Sequence, residues 1–207
     1  MSHNLQAVAA QDFDLPYHRV LAIQGRDALA FAQAQFMNDV NAVADAQWQW
    51  NGWLNPKGRV IALFALLRRD AETLWLLLPD ADPSALATQL QRYVFRSKVA
   101  LHVRDDMHVG GGFAAPVLAR GADSADTSDG VELDLSGDGG PRRLRLGALP
   151  AKPDEHEVSR WRLFDVQHGL PRLSPDQVEQ WTPQQLSLQR LKAYSCLLYT
   201  SPSPRDS

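Results

Sequence analysis

Three side chains around one sharp bend of the chain could bind an anion or a flat ring. Trp53, Lys57 and Arg59 surround the turn Asn55-Pro56-Lys57-Gly58, in which proline presets φ and glycine accepts a positive φ. Basic side chains bind carboxylates and phosphates, and an indole stacks on flat rings. The cluster is typical of the rim of a binding cleft, but a buried hairpin with a basic tip fits the same residues.

The hairpin that carries this turn is predicted to form the centre of the fold. Trp48 and Trp50 alternate with polar residues, which is the period-two pattern of a half-buried strand. Val60 to Leu67 is almost wholly apolar, as in a strand buried on both faces.

Strands and helices flank the hairpin in the order of an α+β unit. Apolar patterns predict further strands over residues 17–24, 73–78 and 99–103. One helix is predicted after Asp27, which could cap it or place its charge near the positive N-terminal end. Another is predicted from Asp82 or Ser84. Residues 17–103 are therefore interpreted as a first ferredoxin-like α+β unit.

Residues 107–195 are predicted to form a second, incomplete α+β unit. Residues 131–135 and 142–146 alternate as strands do, and the pairing would set Arg142, Arg143 and Arg145 against the acids at positions 132 and 134. A helix is predicted over residues 154–167. The three glycines at 110–112 lack a phosphate-loop pattern, so they indicate a bulge or close backbone packing.

Composition excludes several classes of protein. The 207 residues carry a net charge of −3, which gives no global basic field for nucleic acid. No apolar run is long enough to span a membrane, and the single cysteine excludes an internal disulfide. No two of the six histidines are three or four residues apart, the spacing that presents a metal-binding pair on a helix. These features predict a reduced, cytoplasmic protein without a structural metal.

The last twelve residues, CLLYTSPSPRDS, differ in character from the rest. Serine, proline and threonine dominate them, which favours neither helix nor strand. The string resembles a translated sequencing adapter, so residues 196–207 are interpreted as a non-native tail. Cys196 is then given no role, and the natural protein is expected to continue past Ser195.

Five segments, in this order, resemble the YgfZ-type folate-binding proteins, which are relatives of the glycine-cleavage aminomethyltransferase. They are LAIQGRDALAFAQAQFMNDV, GWLNPKGRVIALFALLRR, LQRYVFRSKVAL, WRLFDVQHGLPRL and TPQQLSLQRLKAYS. The resemblance implies two ferredoxin-like units around a folate-binding opening, followed by a small C-terminal β-barrel. The family's Lys-Gly-Cys-Tyr motif and this barrel are absent from the chain.

The resemblance also implies a function. It predicts an accessory protein that binds folate (tetrahydrofolate) and supports iron–sulfur cluster assembly or repair, and through it tRNA modification. Its expected partners are folate and iron–sulfur proteins, without direct contact to nucleic acid or membrane.

Six residues are candidates for folate binding under this resemblance. Trp161 matches a family tryptophan that contacts folate, and a second family tryptophan falls near Tyr17 or His18. Lys57, Arg59 and Arg172 could bind the carboxylates of the glutamate tail.

Two other functions compete with this one. The first is a folate-dependent aminomethyltransferase, in which a carboxylate shortly after the hairpin turn handles the folate amine. Residues 58–63 contain no carboxylate, so that chemistry is disfavoured. The second is an RNA-binding module, with Arg142, Arg143 and Arg145 as candidate contacts. The negative net charge argues against it.

Overall fold

The computed structural model describes residues 11–137 and 140–195, where the chain forms an α+β architecture of two antiparallel five-stranded sheets. The tail at 196–207 lies outside the described residues. The strands are β1 Phe13–Asp14, β2 Arg19–Gln24, β3 Trp48–Leu54, β4 Val60–Arg68, β5 Thr73–Leu78, β6 Ala100–Val103, β7 His108–Gly112, β8 Ala125–Thr127, β9 Gly130–Asp134 and β10 Arg143–Gly147. The helices are α1 Ala28–Gln35, α2 Pro83–Gln91 and α3 Glu155–Gln167.

The first sheet has the strand order β3-β4-β5-β2-β6. Strand β4, second in this order, is buried on both faces, as the apolar run predicts. Phe64 and Leu66 face a core shared with α1 and α2. Ala65 and Leu67 face the inter-sheet core, a second cluster that lies between the two sheets. Because successive side chains of a strand point to opposite faces, β4 contributes side chains to both cores.

The hairpin is a core hairpin with a basic tip. Trp53 is buried in the helix-side core and meets Tyr93 edge-on, with ring centroids 5.8 Å apart. Lys57 is exposed at the turn, where Gly58 has a φ of 72°. The interpretation of Trp53 as the rim of a cleft is therefore wrong, because its apolar surface is already used in folding.

The two helix starts differ. Asp82 caps α2 by accepting from the amides of Ser84 and Ala85, as predicted. Asp27 precedes α1 but makes no capping hydrogen bond. Its carboxylate instead accepts from the Lys98 amide at 2.7 Å. The capping hydrogen bond does not form, because an amide 71 residues away in sequence takes the carboxylate. Asp27 still occupies the N-cap position of α1, so the alternative expectation of a negative charge at the start of the helix holds.

The second sheet has the order β1-β7-β10-β9-β8. The predicted pairing is confirmed for two of the three arginines: Arg143 lies opposite Asp134, and Arg145 opposite Glu132. It is wrong for Arg142, which precedes β10 and forms its ion pair with Asp165 on α3. Gly111 on β7 lies against Trp161, where an added Cβ would approach the indole to 3.1 Å. Close packing therefore explains this glycine.

The segment after α3 returns to the first sheet. Leu170, Leu173, Leu188 and Ala193 form a third core with Met37, Val60 and Leu63. The amide of Ser195 donates to the Met37 carbonyl at 3.1 Å. The segment after α3 is thus packed on the first sheet and on the residues that follow α1. Within the described ranges, helices are too short or too polar to cross a bilayer.

Candidate functional site

A cavity of about 510 Å³ lies where the two sheets, α3 and the C-terminal segment meet. We call it the tryptophan cavity. Its walls include Trp48, Gln49, Trp50, Gly121, Ala122, Asp134, Leu135, Ser136, Gly137, Arg142, Phe164, His168, Leu170, Arg190, Leu191 and Lys192. Its volume falls within the range typical of small-molecule sites.

Two tryptophans of β3 form one wall. Trp48 and Trp50 are two residues apart on a strand, so their side chains lie on the same face. Their rings meet edge-on with centroids 5.7 Å apart, and both are half-buried. The Trp48 indole N–H donates to the Gly121 carbonyl at 3.0 Å. The arrangement holds two apolar ring surfaces beside the cavity, which suits a flat aromatic ligand.

Arg142 forms a second wall and has an unused donor. Arg142 is only 6% exposed. One terminal nitrogen donates to Asp165 at 2.6 Å, and the guanidinium lies 4.7 Å from the Trp161 ring centroid. The buried Nε has no hydrogen-bond partner among the described residues. A buried donor without a partner is costly. Arg142 also lines the cavity, so its guanidinium is a candidate donor to a bound ligand.

Charged groups complete the lining. Burial raises the pKa of Asp134, but hydrogen bonds from the Gly121 and Ser136 amides and the Ser136 hydroxyl outweigh burial and hold it below the ordinary value. Asp134 is therefore a carboxylate at neutral pH. Arg190 and Lys192 are exposed at the cavity. The lining thus offers stacking surface, a hydrogen-bonding carboxylate and cations within one space.

Trp161 lies behind this cavity rather than in it. It is 1% exposed and belongs to the inter-sheet core. Phe13 and Phe113 contact it from the second sheet, with ring centroids 5.9 Å and 5.5 Å away. The Arg142 guanidinium covers its remaining face. The indole therefore reaches a cavity ligand only through Arg142.

Three other predicted site residues gather around the same helix. Arg172 donates to Asp80, Asp165 and the Pro79 carbonyl with all of its guanidinium nitrogens. Tyr17 is exposed, and the Arg162 guanidinium lies over its ring, with 4.6 Å between Cζ and the ring centroid. His18 is buried, and its Nδ1 has no partner among the described residues. These contacts fix α3 against the first sheet.

Burial, reinforced by Arg172, Arg162 and Arg142, lowers the pKa of His18 from 6.5 to about 3. Below pH 6.5, His18 therefore binds a proton in the unfolded chain but stays neutral in the folded chain. This difference favours the unfolded state, so the free energy of unfolding decreases as the pH falls below 6.5. We expect His18 to lower the free energy of unfolding by about 2 kcal/mol between pH 7 and pH 5. Urea unfolding across this range should show a smaller decline in His18→Gln than in the parent. The same change at the exposed His156 should leave the decline unaltered, and equal declines in all three proteins would contradict the assignment.

Lys57 and Arg59 belong to a different neighbourhood. Arg59 donates to the Gln180 carbonyl and to the Gln185 side chain. It thereby ties the hairpin turn to the C-terminal segment, while Lys57 points into solvent at the tip. Neither lines the tryptophan cavity. In the described part of the chain, no group of three or more metal-binding side chains could hold a metal ion.

Sequence reasoning missed the residues that form the cavity. The period-two pattern of Trp48 and Trp50 showed that the strand was half-buried, and that was the available signal for the wall. The sequence predicts Asp134 as a member of a strand pair, and Arg142 as a member of that pair or as a candidate RNA contact. Arg190 and Lys192 carried no signal, because their position depends on how the chain returns to the first sheet.

Comparisons with known proteins show which proteins this chain is similar to. An uncharacterized protein of Haemophilus influenzae is 28% identical over 186 residues, covering 88% of this chain and 62% of that protein. The "tRNA-modifying protein YgfZ" of Klebsiella pneumoniae is 26% identical over 193 residues, covering 84% and 59%. The "Iron-sulfur cluster assembly factor IBA57 homolog, mitochondrial" of Neurospora crassa is 31% identical over 97 residues, covering 44% and 22%. No protein-family model matches.

A solved structure supports the fold. The glycine cleavage system aminomethyltransferase T from Bartonella henselae matches with a TM-score of 0.55 and 14% identity. The match covers 75% of this chain and 46% of that one. The chain spans about three fifths of the length of the first two relatives. On these comparisons, the chain is similar in sequence to YgfZ-type proteins and similar in fold to aminomethyltransferase T.

Proposed function

We propose that this chain binds a reduced folate in the tryptophan cavity and serves as an accessory protein for iron–sulfur cluster assembly or repair, which would support tRNA modification indirectly. The observation that carries the proposal is the pair of half-buried indoles, Trp48 and Trp50, in one cavity with Arg142 and the carboxylate of Asp134. Such a site combines an apolar surface with few, well-placed polar groups.

The residues of the cavity suit the parts of a folate. Trp48 and Trp50 would stack on the pterin ring, and Arg142 would donate to a ring oxygen or nitrogen. Asp134 would accept from ring N–H groups, and Arg190 and Lys192 would meet the tail carboxylates. Bound tetrahydrofolate would supply a carrier for one-carbon groups. Trp161, Tyr17, His18 and Arg172 would act indirectly, by holding Arg142 and α3 in place.

The fold is consistent with this family role. The strands β6-β2-β5-β4, with α1 and α2 as connections, follow the order of a ferredoxin-like unit, and β3 adds an edge strand. We propose residues 17–103 and 107–195 as the two units. The iron–sulfur part of the proposal depends on the relative whose name gives cluster assembly.

Folate-dependent aminomethyl transfer is the second candidate, favoured by the likeness to aminomethyltransferase T. Residues 58–63 at the start of β4 contain no acid. Ala62 and Leu63 are buried there and cannot exchange a proton with a folate amine. Turnover of an aminomethylated carrier protein by this chain would establish the transferase and refute the accessory role.

Replacing Trp50 by leucine tests the cavity. The change keeps apolar volume but removes a ring face, so we expect roughly tenfold weaker binding of tetrahydrofolate. Isothermal titration of the 207-residue chain and of Trp50→Leu measures the difference.

Trp181→Leu is the matched control, because Trp181 is 42% exposed and does not line the cavity. It should bind folate as the parent does. Equal affinity in Trp50→Leu and the parent, with both folded, would contradict the assignment of the site.

A further inference from the structure

The loop after α2 presents cations and aromatic rings together. Residues 92–98, with the sequence RYVFRSK, contain five basic or aromatic side chains and no acid. We call this segment the basic aromatic loop. Phe95 is 87% exposed and Tyr93 is 49% exposed. Arg92, Arg96 and Lys98 are exposed as well. Large exposed apolar side chains beside several cations are typical of contact surfaces.

The loop is held in a defined shape. The amide of Ser97 donates to the Val94 carbonyl at 3.0 Å, and the amide of Lys98 donates to Asp27 at 2.7 Å. Tyr93 is supported edge-on by buried Trp53. Because the backbone and one ring are fixed, binding would order few additional groups.

An open groove of about 330 Å³ runs between this loop and α1. Ala30 and Ala34 line it from the helix, and Tyr93 and Arg96 line it from the loop. The two alanines leave room for a flat group against the tyrosine. Arg96 also lies over the Phe95 ring, 5.4 Å from its centroid. The groove therefore offers ring contacts and positive charge side by side.

The charge around the groove is positive despite the chain's net charge of −3. Arg26 adds a further exposed cation beside Asp27. Asp27 contributes the carboxylate of this surface, and it is engaged by the Lys98 amide and Arg26. A local surface of this sign attracts polyanions even where the whole chain does not.

From these features we infer that the basic aromatic loop and its groove bind single-stranded nucleic acid. Successive bases stack on exposed aromatic rings while cations follow the phosphates, and both kinds of group are present here within seven residues. An acidic protein surface would use the cations but would leave the groove beside Tyr93 without a flat partner. A membrane surface would need a larger apolar area than one exposed phenylalanine.

Fluorescence anisotropy of a fluorescein-labelled uridine dodecamer with the 207-residue chain tests the inference. Phe95→Ala removes a stacking ring that packs against no core, so we expect about fivefold weaker binding or more. Raising the salt from about 50 mM to about 200 mM should weaken parental binding roughly tenfold. Lys98→Gln should weaken binding, whereas the same change at exposed Lys152 on the second sheet should not. Leu149→Ala, at another exposed apolar residue, is the control for Phe95→Ala.

Absence of binding to the dodecamer at low salt would overturn the inference. Equal binding of an abasic dodecamer would overturn it too, because it would show a polyanion surface without base stacking. Equal loss in Lys98→Gln and Lys152→Gln would assign the binding to general charge. The folate affinity of the same variants should equal that of the parent. A failure of the nucleic-acid inference and a failure of the folate proposal are therefore separate results.

Discussion

Asp165→Ala is expected to lower the free energy of unfolding by about 3 to 5 kcal/mol. Asp165 has no solvent exposure and accepts from Arg142 at 2.6 Å and from Arg172 at 2.9 Å. The change leaves two largely buried guanidinium groups without this partner, and a buried charge that loses its counter-charge is strongly destabilising. Urea unfolding of both proteins at neutral pH measures the difference.

Two further variants separate this effect from a general loss of charge. Asp105→Ala removes an exposed partner of Arg19, and exposed pairs contribute about 0 to 1 kcal/mol. Combining Asp165→Ala with Arg142→Met should recover part of the loss, because one orphaned charge is removed with its partner. A loss below about 1 kcal/mol in Asp165→Ala would contradict the role of this network.

Trp161→Ala is expected to destabilise the fold by about 3 to 5 kcal/mol. The indole is fully buried against Gly111, Leu15, Phe13 and Phe113, so its removal leaves a cavity between the sheets. It also removes the ring on which the Arg142 guanidinium lies. Thermal or urea unfolding of the variant checks the loss of stability.

Loss of the indole also changes the position of Arg142, so folate binding by Trp161→Ala has two physical contributions. Weaker folate binding in that variant would follow from displacement of Arg142 as readily as from a lost ring contact. Trp161→Phe keeps most of the packing and should cost less than Trp161→Ala. A variant Trp161→Ala that is as stable as the parent would show that the indole is not part of the core.

Periodicity along the chain predicted much of the first sheet. The apolar run at Val60 to Leu67 required a strand buried on both faces, and β4 indeed serves two cores. Gly110 to Gly112 and the strand pair at 131–146 followed from local patterns in the same way. The alternation within each strand is set by neighbours close in sequence, which is why the sequence predicts it. The sequence does not name the distant partners, such as Trp161 against Gly111.

Features that depend on distant residues could not be predicted this way. Asp27 was a good capping residue by local rules, but the Lys98 amide takes its carboxylate. The sequence pattern predicts that Trp48 and Trp50 lie on a half-buried face. It does not predict that Asp134, Arg142 and Lys192 line the same cavity. The residues around Trp161 resemble those of a family tryptophan that contacts folate. In the structure the Arg142 guanidinium lies over its ring, and this contact depends on how β10 packs against α3.

The indole region of a proton–nitrogen correlation spectrum tests the central claim most directly, because the chain contains six tryptophans. Signals can be assigned with single Trp→Phe variants and followed during titration with tetrahydrofolate. The folate proposal predicts the largest shifts at Trp48 and Trp50, with Trp53 and Trp181 unmoved. Saturating folate that leaves Trp48 and Trp50 unshifted, or that shifts Trp53 or Trp181 instead, would contradict it.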